Sequence, residues 1–122
     1  EQYLEGREAS LIVATDGEQI VPLAPSNDYK RIGDGDTGLN TGGMGTISPT
    51  PNLSDAQYLD ALERVVKPVV RVMASRGTPF KGFLYAGLMI GKNGEINCLE
   101  FNARLGDPET QVIMRRMESD FV

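Results

Sequence analysis

The run from Leu99 to Gln111, LEFNARLGDPETQ, gathers Glu100, Asn102, Arg104, Asp107 and Glu109 within ten residues of chain. In a strand, alternate side chains share a face, so Cys98, Glu100 and Asn102 are predicted to point one way and Leu99, Phe101 and Ala103 the other. A carboxylate and an amide side by side are oxygen donors of the kind magnesium takes when phosphate oxygens complete its octahedron. The competing account is a half-exposed strand whose polar face meets water. Arg104 could make a forked contact to a carboxylate or phosphate. It could equally pair with Asp107 or Glu109, which at a helix start would serve as N-cap and as a charge matched to the dipole.

A second concentration is glycine-rich. Asn40-Thr41-Gly42-Gly43-Met44-Gly45 offers backbone N–H groups unobstructed by side chains, with Lys30 and Arg31 supplying nearby charge. No Lys-Ser or Lys-Thr follows the glycines and no GxGxxG opens a helix after a strand, so neither a P-loop nor a dinucleotide fold fits. A flexible surface loop kept soluble by Asp34 and Asp36 is the ordinary alternative. At the other end, Glu1, Tyr3, Leu4 and Glu8 enter the first predicted strand, where apolar walls and a carboxylate would suit a purine and its ribose.

These residues need elements to hold them. EASLIVATDGEQIVPLAPS reads as strands near 9–15 and 18–24 around an Asp16-Gly17 turn. From Ser26 to Pro51 periodicity vanishes amid six glycines, which predicts a long loop, uncommon in a compact domain unless functional. Ser54 with Gln57 forms a capping box for a helix over 55–75, with Leu59, Leu62, Val66, Val69 and Met73 at helical spacing. Pro68 should kink or break it near Lys67. GFLYAGLMI, the turn Lys92-Asn93-Gly94 and EINCLEFN make a second hairpin. Asp107-Pro108-Glu109 is then expected to cap a helix running to about Glu118.

At 122 residues the chain has room for one core, and 40% hydrophobic content puts it among globular proteins, so 1–122 is read as a single unit. The net charge of −5 without a basic run argues against a nucleic-acid partner. With no histidine and Cys98 alone, zinc sites, histidine catalysis and an internal disulfide are excluded. No apolar run spans a bilayer and no secretory signal opens the chain, so a cytoplasmic protein without membrane partners is expected. The chain starts without methionine, which suggests an excised piece of a longer protein.

Taken together, EQYLEGREAS, NDYKRIGDGDTGLNTGGMG, GFLYAGLMI and LEFNARLGDPETQ occur in an order that resembles the phosphoribosylamine-glycine ligase family of the ATP-grasp superfamily. LEFN and the E-x-Y-L hinge are shared across the superfamily, whereas NTGGMG and GDPETQ are specific to this ligase. The resemblance implies an α+β fold, the C-terminal half of an ATP-grasp domain: an antiparallel or mixed sheet carrying one long helix and a C-terminal helix. It implies ligation of glycine to 5-phosphoribosylamine with ATP giving ADP and phosphate, through glycyl phosphate, in purine synthesis. Magnesium, with manganese as a substitute, would be the metal.

By the same resemblance, Glu1, the Leu4 backbone, Glu8 and Glu100 would serve ATP, and Glu100 and Asn102 would bind metal. Lys30, Asp36, Asn40, Thr41, Gly42, Gly43, Met44 and Gly45 would line the substrate side, with Arg104 and Asp107 in catalytic roles. Tyr29 replaces a histidine common in the family, and the apolar GLMI lacks the acidic ligand that many ATP-grasp enzymes carry before LEFN. Two rivals are a carboxylating or formylating ligase of the same superfamily and a nucleotide-binding module without turnover. The chain alone, lacking the other ATP-grasp subdomain, is expected to be inactive.

Overall fold

The computed structural model describes residues 2–121, and its architecture follows from two hairpins paired along their first strands. Strand β1 (Gly6–Thr15) turns at Gly17, whose φ of +98° favours glycine, into the short β2 (Ile20–Pro22). Asp16 secures the turn by accepting from the Glu18 and Gln19 N–H groups at 2.9 and 2.7 Å. Strand β5 (Gly82–Gly91) runs through Gly94 (φ +83°) into β6 (Ile96–Asn102). β1 and β5 pair antiparallel from Gly6↔Gly91 to Thr15↔Gly82, giving the sheet order β2-β1-β5-β6. β1 starts three residues earlier than its apolar pattern, because β5 pairs with it over its full length.

Alternation sorts the faces. Ala9, Leu11, Val13, Leu84, Ala86, Leu88 and Ile90 are buried together under a helical layer contributing Ala61, Leu62, Val66 and Val70. That layer is α1 (Asp55–Ala61), a π-helical turn (Leu62–Val66) and α2 (Lys67–Ser75). The Ser54–Gln57 capping box forms as its sequence predicts. Pro68 has no N–H to donate and its ring would meet the carbonyl four residues back. The wide turn just before it is the local answer, with the Lys67 N–H bonding Leu62 rather than Glu63. Leu59, placed on the apolar stripe by spacing, is 61% exposed, since Tyr58, Ala61 and Leu62 face the sheet instead.

The opposite face carries Ile12 and Tyr85 packed against Ile113 of α3 (Glu109–Met114). This helix is shorter than expected, and Pro108, not Asp107, holds its N-cap position without a side-chain bond. Asp107 instead accepts from Gln111 Nε2 at 2.7 Å.

The long loop expected between Ser26 and Pro51 is an antiparallel hairpin, β3 (Asn27–Gly33) and β4 (Thr37–Ile47). Gly35 and Asp36 at its tip are successive left-handed residues (φ +68° and +58°), as a primed hairpin turn requires. Backbone bonds between Ser10 and Ser26, at 2.7 and 3.0 Å, fix the base of this hairpin beside β1. Its glycine-rich strand is exposed on both sides for most of its length, so no two-residue period marks it. An irregularity in β6 also breaks the predicted alternation there. Glu100 and Asn102 lie opposite Gly87 and Tyr85, but Cys98 lies opposite Leu88 and so falls on the other face. Among the described residues no helix is long and apolar enough to cross a membrane.

Candidate functional site

The face of the sheet that the long helix leaves uncovered presents Glu8 and Ser10 from β1, Tyr85 and Gly87 from β5, and Glu100 and Asn102 from β6. The β3–β4 hairpin stands along this face and the segment entering α3 borders one end. The result is a continuous cleft in three parts. The widest, about 510 Å³, is bordered by Leu4, Glu8, Lys30, Asp36 and Asn40. A middle part of about 190 Å³ is bordered by Glu8, Lys30, Tyr85, Leu99 and Glu100. The end beside α3, about 200 Å³, shares Asp28 with the widest part and adds Thr41, Gly42, Asn102, Arg104, Asp107 and Glu109. Shared residues make the parts one path: Glu8 and Lys30 join the first two, Lys30, Tyr85 and Glu100 the last two.

The fold therefore assembles most of the residues singled out by sequence, from positions as far apart as Leu4 and Asp107. Met44 and Gly45 are not brought in. Met44 borders a separate hollow with Tyr29 and Ile32 and is 56% exposed, and Gly45 is spent opposite Tyr29 in the ladder. Glu1 lies outside the described residues. The glycine run is also not the open cradle that a loop would be. Thr41 donates to the Lys30 carbonyl at 2.7 Å, and the Gly43 N–H donates to Thr41 Oγ1 at 3.1 Å, so these groups are engaged between the strands. Of the glycines 42, 43 and 45, Gly42 alone borders the cleft, beside Thr41.

The charges are arranged in pairs. Lys30 meets Glu8 at 3.4 Å, both side chains about one-third exposed or more. Such a pair contributes little to stability but holds two chemically useful groups at one point. Arg104 donates from Nη1 to the Leu105 carbonyl at 3.0 Å and is otherwise exposed. Glu100 and Asn102, two residues apart on one face, sit about 6.5 Å apart along the strand. Among the described residues no three Asp, Glu, Cys or His side chains converge as a metal cage. A divalent ion at Glu100 and Asn102 would thus draw two oxygens from the protein and the remainder from phosphate and water, a donor set that fits magnesium and not zinc.

Four residues carry the end beside α3: Ser10, Asp28 and Tyr85, which sequence reasoning passed over, and Glu109, which it placed only at a helix start. Ser10 Oγ donates to Glu109 Oε1 at 2.9 Å and lies 2.9 Å from the Tyr85 hydroxyl, a buried chain across β1, β5 and α3. Burial pushes the Tyr85 phenol up, so it stays protonated. Glu109 is 3% exposed. The only sequence signal was Ser10 and Tyr85 inside otherwise apolar strands, which reads equally as tolerated polarity. Asp28 is 8% exposed, and the hydroxyl of Thr46, its partner across the hairpin, acts on its carboxylate as a hydrogen-bond donor. Burial first, and the Glu109 carboxylate second, push its carboxyl up to about 6, with Lys30 partly offsetting them.

That shift has a sign. Unfolded Asp28 loses its proton near pH 4 and the folded residue near 6, so the folded state holds the extra proton between those values. Stability from this group is present below about pH 4 and is lost as pH rises to about 6. Asp28→Asn is expected to stabilise the protein relative to wild type at pH 7 by about 1–2 kcal/mol and by nothing at pH 4. Thermal melts of both proteins over that range check it, and a variant less stable at pH 7 would refute it.

Residues 1–110 match the family model of the phosphoribosylglycinamide synthetase ATP-grasp (A) domain. Over its whole length the chain is 55% identical to a phosphoribosylamine--glycine ligase of Salmonella typhimurium and 57% identical to one of Vibrio parahaemolyticus. It spans 28% of the length of each. A crystal structure of phosphoribosylamine--glycine ligase from Thermotoga maritima superposes on 94% of the chain, with a TM-score of 0.83 at 38% identity, and 29% of that chain is covered.

Proposed function

Because this chain belongs to the phosphoribosylglycinamide synthetase ATP-grasp (A) domain family, we propose that it forms one wall of the active site of a ligase joining glycine to 5-phosphoribosylamine, with ATP giving ADP and phosphate. The observation that carries the reading is the continuous cleft, which brings Leu4 and Glu8 from one end of the chain into line with Glu100, Asn102 and Arg104 from the other.

The chemistry asked of such a site is positioning and charge neutralisation. The glycine carboxylate oxygen attacks the γ-phosphorus of ATP, the bond to ADP breaks, and glycyl phosphate forms. The amine of phosphoribosylamine then attacks the glycyl carbonyl and releases phosphate and a proton, giving glycinamide ribonucleotide. No enzyme nucleophile is needed. The Leu4 backbone and Glu8 would receive adenine and ribose in the wide part of the cleft. Glu100 and Asn102 would hold magnesium, which supplies neutralisation of the triphosphate charge. Arg104 would fork onto the glycine carboxylate and fix its line of attack. Lys30, held by Glu8, would face the phosphate side. Asp107 borders the same end and would position substrate from there, as would Asp36, Asn40 and Gly42 along the hairpin.

The cleft has one wall in this chain and the relatives are more than three times as long. We therefore infer a second wall elsewhere in the parent protein, no turnover by these 122 residues alone, and a cytoplasmic setting. The test is ADP release by a ligase of the relatives' length carrying this segment. Release is expected only with both glycine and phosphoribosylamine present. Equal release with bicarbonate or formate would assign a different carboxylate, and glycine-dependent release by the isolated chain would refute the divided site.

A further inference from the structure

Glu100 owes its place in the cleft to its neighbours. From Ile96↔Ile90 to Cys98↔Leu88 strand β6 pairs with β5 in one register, and from Glu100↔Gly87 to Asn102↔Tyr85 in another, with Leu99 the extra residue between them. Were the first register continued without it, Glu100 would stand opposite Ala86, which is fully buried under the helical layer, and its charge would be aimed into the core. The bulge turns Glu100 and Asn102 onto the cleft face instead. There Glu100 meets Gly87, a glycine in the middle of a central strand. Gly87 does not take the left-handed conformation, so its backbone does not call for glycine, and at such a position glycine is less stable than alanine. What calls for it is space. A Cβ on Gly87 would lie 3.2 Å from Glu100 Cγ and 3.5 Å from Tyr85 Cε1. The Tyr85 ring is buried and its hydroxyl is tied to Ser10 at 2.9 Å, whereas Glu100 is exposed and free to yield.

Resting on the ligase reading, in which Glu100 holds magnesium, we infer that Gly87 is a positioning residue for that ligand. Its bare Cα is the bed on which the Glu100 stem lies, and the Tyr85 ring is the fixed side of the bed. A methyl group there would displace Glu100 Cγ by a few tenths of an ångström, and because Cγ carries the carboxylate, both oxygens would swing with it. Asn102 is the other protein donor assigned to the ion, so the place of the ion depends heavily on how Glu100 is held. Groups that orient a metal ligand without touching the metal govern affinity for this reason. Gly87 also borders the middle of the cleft with Glu8, Lys30 and Glu100. A glycine that merely made room for a nucleotide would act on nucleotide binding whether or not metal were present, which separates the two roles.

The experiment compares a ligase of the relatives' length carrying this segment with its Gly87→Ala variant. Manganese is titrated into each with a non-hydrolysable ATP analogue bound, and the free ion is read by electron paramagnetic resonance. The dissociation constant of manganese is expected to rise about 10–100-fold in the variant, the scale for disturbing a group that orients a metal ligand. ATP binding measured without metal should stay within about twofold. The melting temperature of the metal-free protein should hold or rise, since alanine suits a strand better than glycine. Weaker metal binding in an equally stable protein is a combination that a purely structural glycine would not produce. An unchanged manganese affinity would overturn the inference. So would a loss of metal-free ATP binding, which would make Gly87 room for the nucleotide, or a melting temperature lowered by more than about 5 °C, which would put the clash into the fold. Each of these leaves the ligase reading standing. Failure of the unaltered enzyme to bind manganese would remove the metal role of Glu100 and this inference with it, whereas absence of glycine-dependent ADP release would overturn the ligase reading itself.

Discussion

Glu100→Gln in a ligase of the relatives' length is expected to lower kcat by about 10²–10³-fold, the scale for removing one preorganised electrostatic contact to developing charge. Glutamine keeps the volume and one oxygen but removes the charge that balances a divalent ion. With only the Asn102 amide beside it on the strand, and no cluster of three acidic, cysteine or histidine side chains able to hold an ion among the described residues, the loss is not absorbed by a ready-made alternative site. Higher magnesium should recover part of the rate, whereas ATP binding measured without metal should be unaffected. Unchanged turnover would remove Glu100 from the metal site. Because Glu100 is exposed and on an edge strand, the melting temperature should stay put, which separates this effect from unfolding.

Leu11→Ala is expected to do the reverse, costing stability and leaving the chemistry of surviving folded molecules alone. Leu11 is fully buried on the central strand β1, opposite Ala86 and beneath Val66 and Val70 of the helical layer. Truncation there loses the transfer energy of the side chain and opens a cavity that a neighbouring alanine cannot fill, about 3–5 kcal/mol. Against a total of roughly 5–15 kcal/mol for a domain, that is much of the margin. A urea titration should show the midpoint fall with little change in slope, and a midpoint shift worth under about 1 kcal/mol would contradict the packing described.

What could be read from sequence was local. Asp16-Gly17 and Asn93-Gly94 announce their turns because the backbone conformation they permit is set within two residues. Ser54 and Gln57 announce a helix start for the same reason. The β3–β4 hairpin was missed because its second strand is mostly solvent-exposed on both sides and glycine-rich, so neither alternation nor β-branched content marks it. Its register also slips between Tyr29 and Arg31 and again before Gly33. In the site, Glu100 and Asn102 were legible from their spacing on one strand together with the family resemblance. Ser10, Tyr85 and Glu109 were not, because their meaning lies in contacts across 75 and 99 residues of chain that no local pattern encodes, and Asp28 was not, because its burial depends on the unforeseen hairpin that carries it. Glu109 illustrates the point: at a helix start it reads as a match for the dipole, and only the fold places it under Ser10.

The wide helical turn at Leu62–Val66 makes chain length and residue identity at Pro68 interdependent. Five residues there advance the helix by roughly the rotation that four would in an ordinary α-helix, so α1 and α2 present Ala61 and Val70 to the same sheet despite one residue in excess. A single-residue deletion within this turn would preserve both faces, yet it would bring the carbonyl of the preceding turn back against the proline ring. The deletion is therefore compatible with the sheet only together with replacement of Pro68, an epistatic pair. Relatives that differ in length by one residue here are expected to differ at the proline as well.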